Sequence, residues 1–308
     1  MDDFLLKYGS NSIILGPGHY GDFITKKTNK LLKVTLLNSK NKEFKYLDII
    51  RSIPKYTKYY SIPEEANSII YPNDKFYKII KNLTSDIDIN IFENKLHCCY
   101  IEFAGEYELL DTINQVFQLG DLSFWKSYKF IYKFTVQMLE AIYFLHERQI
   151  CHLDIKPENI LVNGEEFRII DFGFSSKYPF NDFVDNYRGT PGYFPKYYPK
   201  VRIEPWFPKI EANDTLLFRG EIPIKKYRNL VYRIDSYCLG RILFMIRYLY
   251  EDNKVYLCCN FEKKIKTKID IIIGSLLKNN IYDRLSIREL YLFHKRCSSH
   301  RRIGNIFC

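Results

Sequence analysis

His152-Leu153-Asp154-Ile155-Lys156-Pro157-Glu158-Asn159, followed twelve residues later by Asp171-Phe172-Gly173, is the densest stretch of chemistry in the chain. A carboxylate, an ammonium two positions on, an amide and then a second carboxylate form a set suited to phosphoryl transfer. That reaction needs an acceptor hydroxyl oriented, the charge of the γ-phosphate offset and Mg2+ held, with little covalent help from the protein. Asp154 can accept the hydroxyl proton and Lys156 can neutralise phosphate charge. Asn159 and Asp171 can ligate Mg2+ through oxygen. Each residue alone reads as an ordinary surface polar group, but the four at this spacing are hard to explain structurally.

Working upstream, Gly16-Pro17-Gly18-His19-Tyr20-Gly21 lies between two strand-like runs, Ser12 to Leu15 and Asp22 to Lys26. A dinucleotide fingerprint would need a helix next, so this spacing reads instead as a hairpin whose glycines let backbone approach phosphates. Tyr20 at its tip would close over them. Lys33 sits inside the apolar run Leu31-Leu32-Lys33-Val34, where an unpaired ammonium is costly, and Glu43 is the obvious partner. Lys26, Lys27 and Lys30 fall in a turn and read as solvated.

Around these landmarks the first hundred residues read as short strands with one helix, Glu43 to Ile53, carrying apolar residues at 46, 47, 50 and 53. A long helix is predicted over 125–148, with Ile131, Phe134, Met138, Ile142 and Leu145 on one stripe. Others are predicted over 233–250, 269–278 and 286–296. A strand-rich lobe over 1–104 therefore precedes a helix-rich lobe over 105–308, with the seam near Ala104-Gly105.

The 308 residues suffice for one large domain or two lobes, and 46% hydrophobic with 27% charged residues exclude a disordered or collagen-like chain. No apolar run reaches the ~18 residues that span a bilayer; Ile269 to Leu277 is interrupted by Asp270 and Ser275. The acidic start, Met1-Asp2-Asp3, is unlike a secretory signal, so the eight cysteines are expected to be reduced thiols. His294, Cys297 and His300 do not share a helical face, which disfavours zinc with Cys308. The net charge of +10 gathers in clusters such as Lys263, Lys264, Lys266 and Lys268, and reads first as a solvated basic surface.

Taken in order, these features resemble a eukaryotic-type protein kinase over nearly the whole chain. The series runs from the Gly-rich loop, the strand lysine Lys33 and the helix glutamate Glu43 to a hinge at Ile101-Glu102-Phe103-Ala104. HxDxKPxN at 152–159, DFG at 171–173 and Gly189-Thr190-Pro191-Gly192-Tyr193 follow. Asp235-Ser236-Tyr237-Cys238-Leu239-Gly240 resembles the helical motif whose aspartate braces the catalytic loop, and Asp283-Arg284-Leu285-Ser286 the closing arginine motif.

The resemblance implies an α+β, bilobal protein-kinase-like fold with a strand-rich N-lobe and a helical C-lobe. It implies transfer of the γ-phosphate of ATP, with Mg2+, to Ser or Thr hydroxyls of protein substrates. Asp154 and Lys156 would be catalytic, and Asn159 and Asp171 would hold the metal. Leu15, Gly16, Pro17, Gly18, His19, Tyr20, Gly21, Phe23, Lys33, Glu43, Glu102 and Ala104 would bind nucleotide, with Ile101 as gatekeeper. Lys156-Pro157-Glu158-Asn159 and Thr190 favour Ser/Thr over Tyr acceptors. A cytoplasmic monomer is expected, needing no nucleic acid and inserting into no membrane. The compact, Tyr-, Lys- and Asn-rich chain suggests a virus-encoded enzyme of host cytoplasm.

The departures sharpen the expectations. Leu153 stands where the family has arginine, which implies activity without phosphorylation of Ser175, Ser176, Tyr178, Tyr187 or Thr190; abolition by phosphatase would overturn that. Pro195-Lys196-Tyr197 replaces the family's Ala-Pro-Glu, so Arg284 lacks its glutamate, and Glu204 and Glu211 are candidates to substitute. Leu31 and Phe23 would narrow the adenine pocket. An insertion over about 198–230 would lie near the substrate groove, as a docking element or a surface loop. The alternatives are a pseudokinase scaffold that binds nucleotide without efficient transfer, and a small-molecule kinase on a related scaffold.

Overall fold

The computed structural model describes residues 5–8, 12–15, 31–36, 43–62, 69–70, 96–101, 107–119, 128–178, 180, 189–195, 228–252 and 260–300. Its N-terminal part is a five-stranded antiparallel sheet in the order β1-β2-β3-β5-β4. The strands are β1 (Leu5–Tyr8), β2 (Ser12–Leu15), β3 (Leu31–Leu36), β4 (Ile69–Ile70) and β5 (Leu96–Ile101). Lys33 lies in the central strand, opposite Ile14 on one side and Cys99 on the other, and Leu31 pairs with Ile101.

The helix expected over Glu43 to Ile53 is shorter and begins differently. Glu43–Tyr46 is a 3-10 turn, and only α1 (Leu47–Arg51) is α-helical. Tyr46 supplies no side-chain cap to the first amides, and a tighter turn at a helix start is one way such orphan groups are met. At the other end, the Ser52 hydroxyl donates to the Ile49 carbonyl at 2.6 Å and Pro54 follows two residues on, so the helix stops. Leu47 and Ile50 are buried.

The next segment joins the N-terminal part to the helical part. Tyr60 forms a parallel bridge with Ile169, backed by Ile169 N–H donating to Tyr59 O at 2.8 Å and Ser61 N–H donating to Ile169 O at 3.1 Å. The Tyr60 hydroxyl donates to the Ala141 carbonyl at 2.5 Å.

The rest is mainly helical: α2 (Leu109–Leu119) after the short β6 (Tyr107–Glu108), α3 (Tyr128–Glu147), α4 (Arg228–Asp252), α5 (Asn260–Leu276) and α6 (Ile287–His300). The predicted stripe of α3 is its buried face: Ile131, Phe134, Met138, Ile142 and Leu145 are all fully buried. That face meets α4, α5 and α6, so α3 is the axis of the helical core. Between α3 and α4 lie β7 (Ile150–Cys151), β8 (Ile160–Asn163), β9 (Glu166–Ile169) and β10 (Ser176–Lys177). β8 and β9 form a hairpin whose turn is made by Gly164 at φ 56°, a left-handed conformation that suits glycine.

The Gly-rich loop at 16–21, the strand expected at 22–26, Phe23, hinge residues 102–104, the seam at 104–105, and Glu204 and Glu211 lie outside the described residues. So does the 198–230 insertion, apart from 228–230, which begin α4. Among the described residues, no helix is long and apolar enough to cross a membrane.

Candidate functional site

The chain leaves α3 through Gln149, in a left-handed turn at φ 63°, and enters β7, which pairs with β10. Residues 152–156 then form an irregular loop closed by the 3-10 turn Pro157–Asn159, with proline in its first turn where a missing N–H costs little. The β8–β9 hairpin returns the chain to the same place: Ile170 N–H donates to Asn159 O at 3.0 Å, putting Asp171 next to the loop.

One buried carboxylate braces this loop. Asp235 of α4 accepts the backbone N–H of His152 at 2.9 Å, that of Leu153 at 2.8 Å, and His146 Nε2–H at 2.9 Å. Burial opposes ionisation of Asp235, but the His146 hydrogen bond and the donors around it prevail, leaving its pKa below the usual carboxylate value. His146, Cys151 and Asp235 lie close enough to suggest a metal site. Asp235 is already committed to three donors, and Cys151 Sγ–H donates to Val231 O at 3.3 Å. A hydrogen-bond network accounts for the cluster.

The His152 ring fixes the loop from beneath. Its Nε2–H donates to Ile170 O at 3.1 Å, and its Nδ1 accepts from Asp154 N–H at 3.3 Å. Phe172, fully buried, stacks its edge between His152 and Tyr60, with ring centroids 5.0 and 6.0 Å away. Leu153 at φ 68° and Asp171 at φ 60° hold left-handed backbone conformations. Such conformations cost non-glycine residues about 1–3 kcal/mol and persist where the surroundings over-determine them, often at functional sites.

At the centre, Asp154 is 2% exposed and sits among three groups. Its Oδ1 accepts the Thr190 hydroxyl at 2.6 Å and the Thr190 N–H at 3.3 Å. Its Oδ2 accepts from Asn159 Nδ2 at 3.0 Å and lies 3.2 Å from Lys156 Nζ. Lys156 also donates to the Thr190 hydroxyl at 3.0 Å, closing the ring. Asn159 spends its amide protons on Asp154, both side chain and carbonyl, which turns its Oδ1 away for other use. Asp171 accepts Gly173 N–H at 3.1 Å on Oδ1, leaving Oδ2 available. Two hard oxygen donors on adjacent segments fit Mg2+.

Beside this centre lies an acidic group. Burial, then the neighbouring carboxylates of Asp111 and Glu158, push Glu108 up to about 7, against a smaller opposing pull from Lys156. Burial likewise raises Glu158.

The structure thus brings Asp154, Lys156, Asn159 and Thr190 within hydrogen-bond reach and sets Asp171 alongside. Leu15, Lys33 and Glu43 are placed by backbone only, at the end of β2, mid-β3 and the start of the 3-10 turn. The remaining predicted nucleotide-binding residues lie outside the described ones. His146 escaped sequence reasoning, since 89 positions separate it from its partner Asp235 and no local spacing links them. Arg284 donates to the carbonyls of Lys278 at 3.1 Å and Arg233 at 3.2 Å, and lies 4.7 Å from the centroid of the Tyr237 ring. His294 of the weighed zinc set hydrogen-bonds instead with the Tyr132 hydroxyl at 3.2 Å.

A family model, Protein kinase domain, matches residues 75–196, which hold the whole loop and the segment carrying Thr190. Over these residues the chain is similar to the protein kinase family. It is 26% identical over 239 residues to a probable serine/threonine-protein kinase of Dictyostelium discoideum, covering 71% of this chain and 40% of that protein. It is 37% identical over 105 residues to myosin light chain kinase 3 of Homo sapiens, covering 32% of this chain and 12% of that protein. It is 26% identical over 174 residues to serine/threonine-protein kinase ULK3 of Xenopus laevis, covering 51% and 37%. The chain therefore spans less than half the length of each of these relatives.

Proposed function

We propose that the chain transfers the γ-phosphate of ATP to serine or threonine hydroxyls of protein substrates. The observation that carries this reading is the closed ring Asp154–Thr190–Lys156, with Asn159 on the second Asp154 oxygen, on a loop braced by Asp235. Asp154 orients the acceptor hydroxyl and takes its proton. The hydroxyl oxygen bonds to the γ-phosphorus as the bond to the ADP oxygen breaks, and ADP leaves with that electron pair. Lys156 stands beside Asp154, where its ammonium offsets charge on the transferred group. Asn159 and Asp171 are the residues that would hold Mg2+, whose charge supports phosphate transfer when bound.

On the same reading, residues 1–104 form the nucleotide-binding lobe and 105–308 the catalytic lobe. Leu15 to Gly21 and Phe23 cover the phosphates, Lys33 paired with Glu43 grips them, and Glu102 and Ala104 meet adenine beside Ile101. The pairing of Leu31 with Ile101 across β3 and β5 supports a shared pocket wall.

Purified wild type and Asp154→Asn, given Mg2+ and labelled ATP with generic acidic and basic protein substrates, test the proposal. Phosphoserine or phosphothreonine made by the wild type alone is the expected result. No transfer, while ATP with Mg2+ raises the melting temperature, would replace it with a nucleotide-binding scaffold.

A further inference from the structure

Arg241 occupies a place where an arginine is expensive. It lies within α4, is 1% exposed, and follows Gly240, whose missing side chain lets Leu276 of α5 and Leu277 just beyond it press against the helix. A guanidinium at such a site must be hydrogen-bonded to be tolerated. Burial pulls its pKa below the ordinary arginine value, while a hydrogen bond with Tyr237, one helical turn earlier, works the other way. Its Nε–H leaves the helix and donates to the carbonyl of Gly192 at 2.7 Å.

Gly192 belongs to the segment that presents Thr190 to Asp154 and Lys156. Thr190 ties the start of the segment to Asp154 and Lys156. Further along it, the Tyr193 hydroxyl lies against Met245 Sδ at 3.8 Å, and the Phe194 ring lies over Gly189, where a Cβ would fall 1.9 Å from the ring. Tyr237, which holds Arg241, also lies beneath Arg284. A path of side chains, Arg284–Tyr237–Arg241, thus runs from the start of the last helical region to the backbone two residues beyond Thr190.

We propose that Arg241 is a positioning residue for the acceptor-peptide site: its bond to the Gly192 carbonyl fixes segment 189–195, so that Thr190 and the docked peptide stand in register with Asp154. The inference rests on the kinase reading above.

The test compares wild type with Arg241→Met, which keeps the stem and loses the donors, and Arg241→Lys, which restores one. Two readouts are used: hydrogen–deuterium exchange of amides 189–195, and kinetics with separate KM values for peptide and ATP. Arg241→Met is expected to raise exchange in 189–195 and the peptide KM each by about tenfold, the effect of losing one charged hydrogen bond, with ATP KM unchanged. Arg241→Lys should recover part of both. Unchanged exchange in 189–195, or a rise spread equally over α3 and α4, would overturn the proposal. If Arg241→Met does not fold, Arg241→Gln carries the same comparison. A wild type without transfer would sink the kinase reading instead, and exchange alone would then decide whether Arg241 holds the segment.

Discussion

The loop 152–159 and the segment 189–195 meet at the same carboxylate, yet they are held in place by different means. The loop is over-determined: Asp235 receives two of its amides and His146, the His152 ring bonds at both nitrogens, and Phe172 packs beneath. The segment is fastened residue by residue along its length: Thr190 to Asp154 and Lys156, Gly192 to the Arg241 guanidinium, the Tyr193 hydroxyl to a sulfur, and the Phe194 ring over Gly189. A buried ionic network resists change until it fails outright, because losing one member strands the others without water. A segment held by separate contacts along its length responds to the loss of any one of them by degrees. The loop therefore sets whether Asp154 is in place, and the segment sets what is presented to it.

The largest effect should come from the loop's brace. Asp235→Ala would leave the His152 and Leu153 amides and the His146 ring unsatisfied in a fully buried place. A loss of roughly 3–5 kcal/mol is expected, as for removing one partner of a buried charged network. Thermal or urea unfolding measures it, and a loss below about 1 kcal/mol would show that the loop is not over-determined as the geometry indicates.

A smaller effect is expected across the seam between the two regions. Thr190→Val keeps the shape but removes the hydroxyl shared by Asp154 and Lys156. Losing hydrogen bonds to charged partners should lower kcat by about ten- to a hundredfold while stability changes little. The sharpest contradiction would be a variant whose kcat is intact and whose melting temperature has collapsed, since Thr190 would then serve the fold rather than the site.

The same contrast governs what was legible in the sequence. The loop's chemistry lies within eight consecutive residues plus Asp171, so spacing alone suggests it, and the apolar stripe of α3 reads directly as a buried face. The brace and the tether are long-range. His146 meets Asp235 across 89 positions and Arg241 meets Gly192 across 49, and neither pair leaves a periodic trace. Arg241 is further disguised, because an arginine in a helix that also carries Arg228, Arg233 and Arg247 reads as a residue on its solvated side. The start of α1 was missed for a local reason: apolar spacing at 46, 47, 50 and 53 reports which side is buried, and a 3-10 turn can satisfy it as well as an α-helix.

The mildest effect is a matter of protons beside the loop. Glu108 in the folded chain titrates near 7 rather than 4.5, because burial and the carboxylates of Asp111 and Glu158 disfavour its charge more than Lys156 favours it. Its raised pKa means that the folded state holds the proton more tightly than the unfolded state. The associated stability is fully present below about 4.5 and is lost as pH rises through 7. Glu158, raised by burial, adds in the same direction. Asp235, Glu140 and Glu289 are lowered, so their contributions are lost only on acidification below the ordinary carboxylate range, outside this window. Glu108→Gln should therefore flatten the fall in melting temperature between pH 5 and 8, gaining on wild type at the alkaline end. Parallel curves for the two proteins would mean that Glu108 is ionised throughout, and that the acidic group beside Lys156 is better solvated than its burial implies.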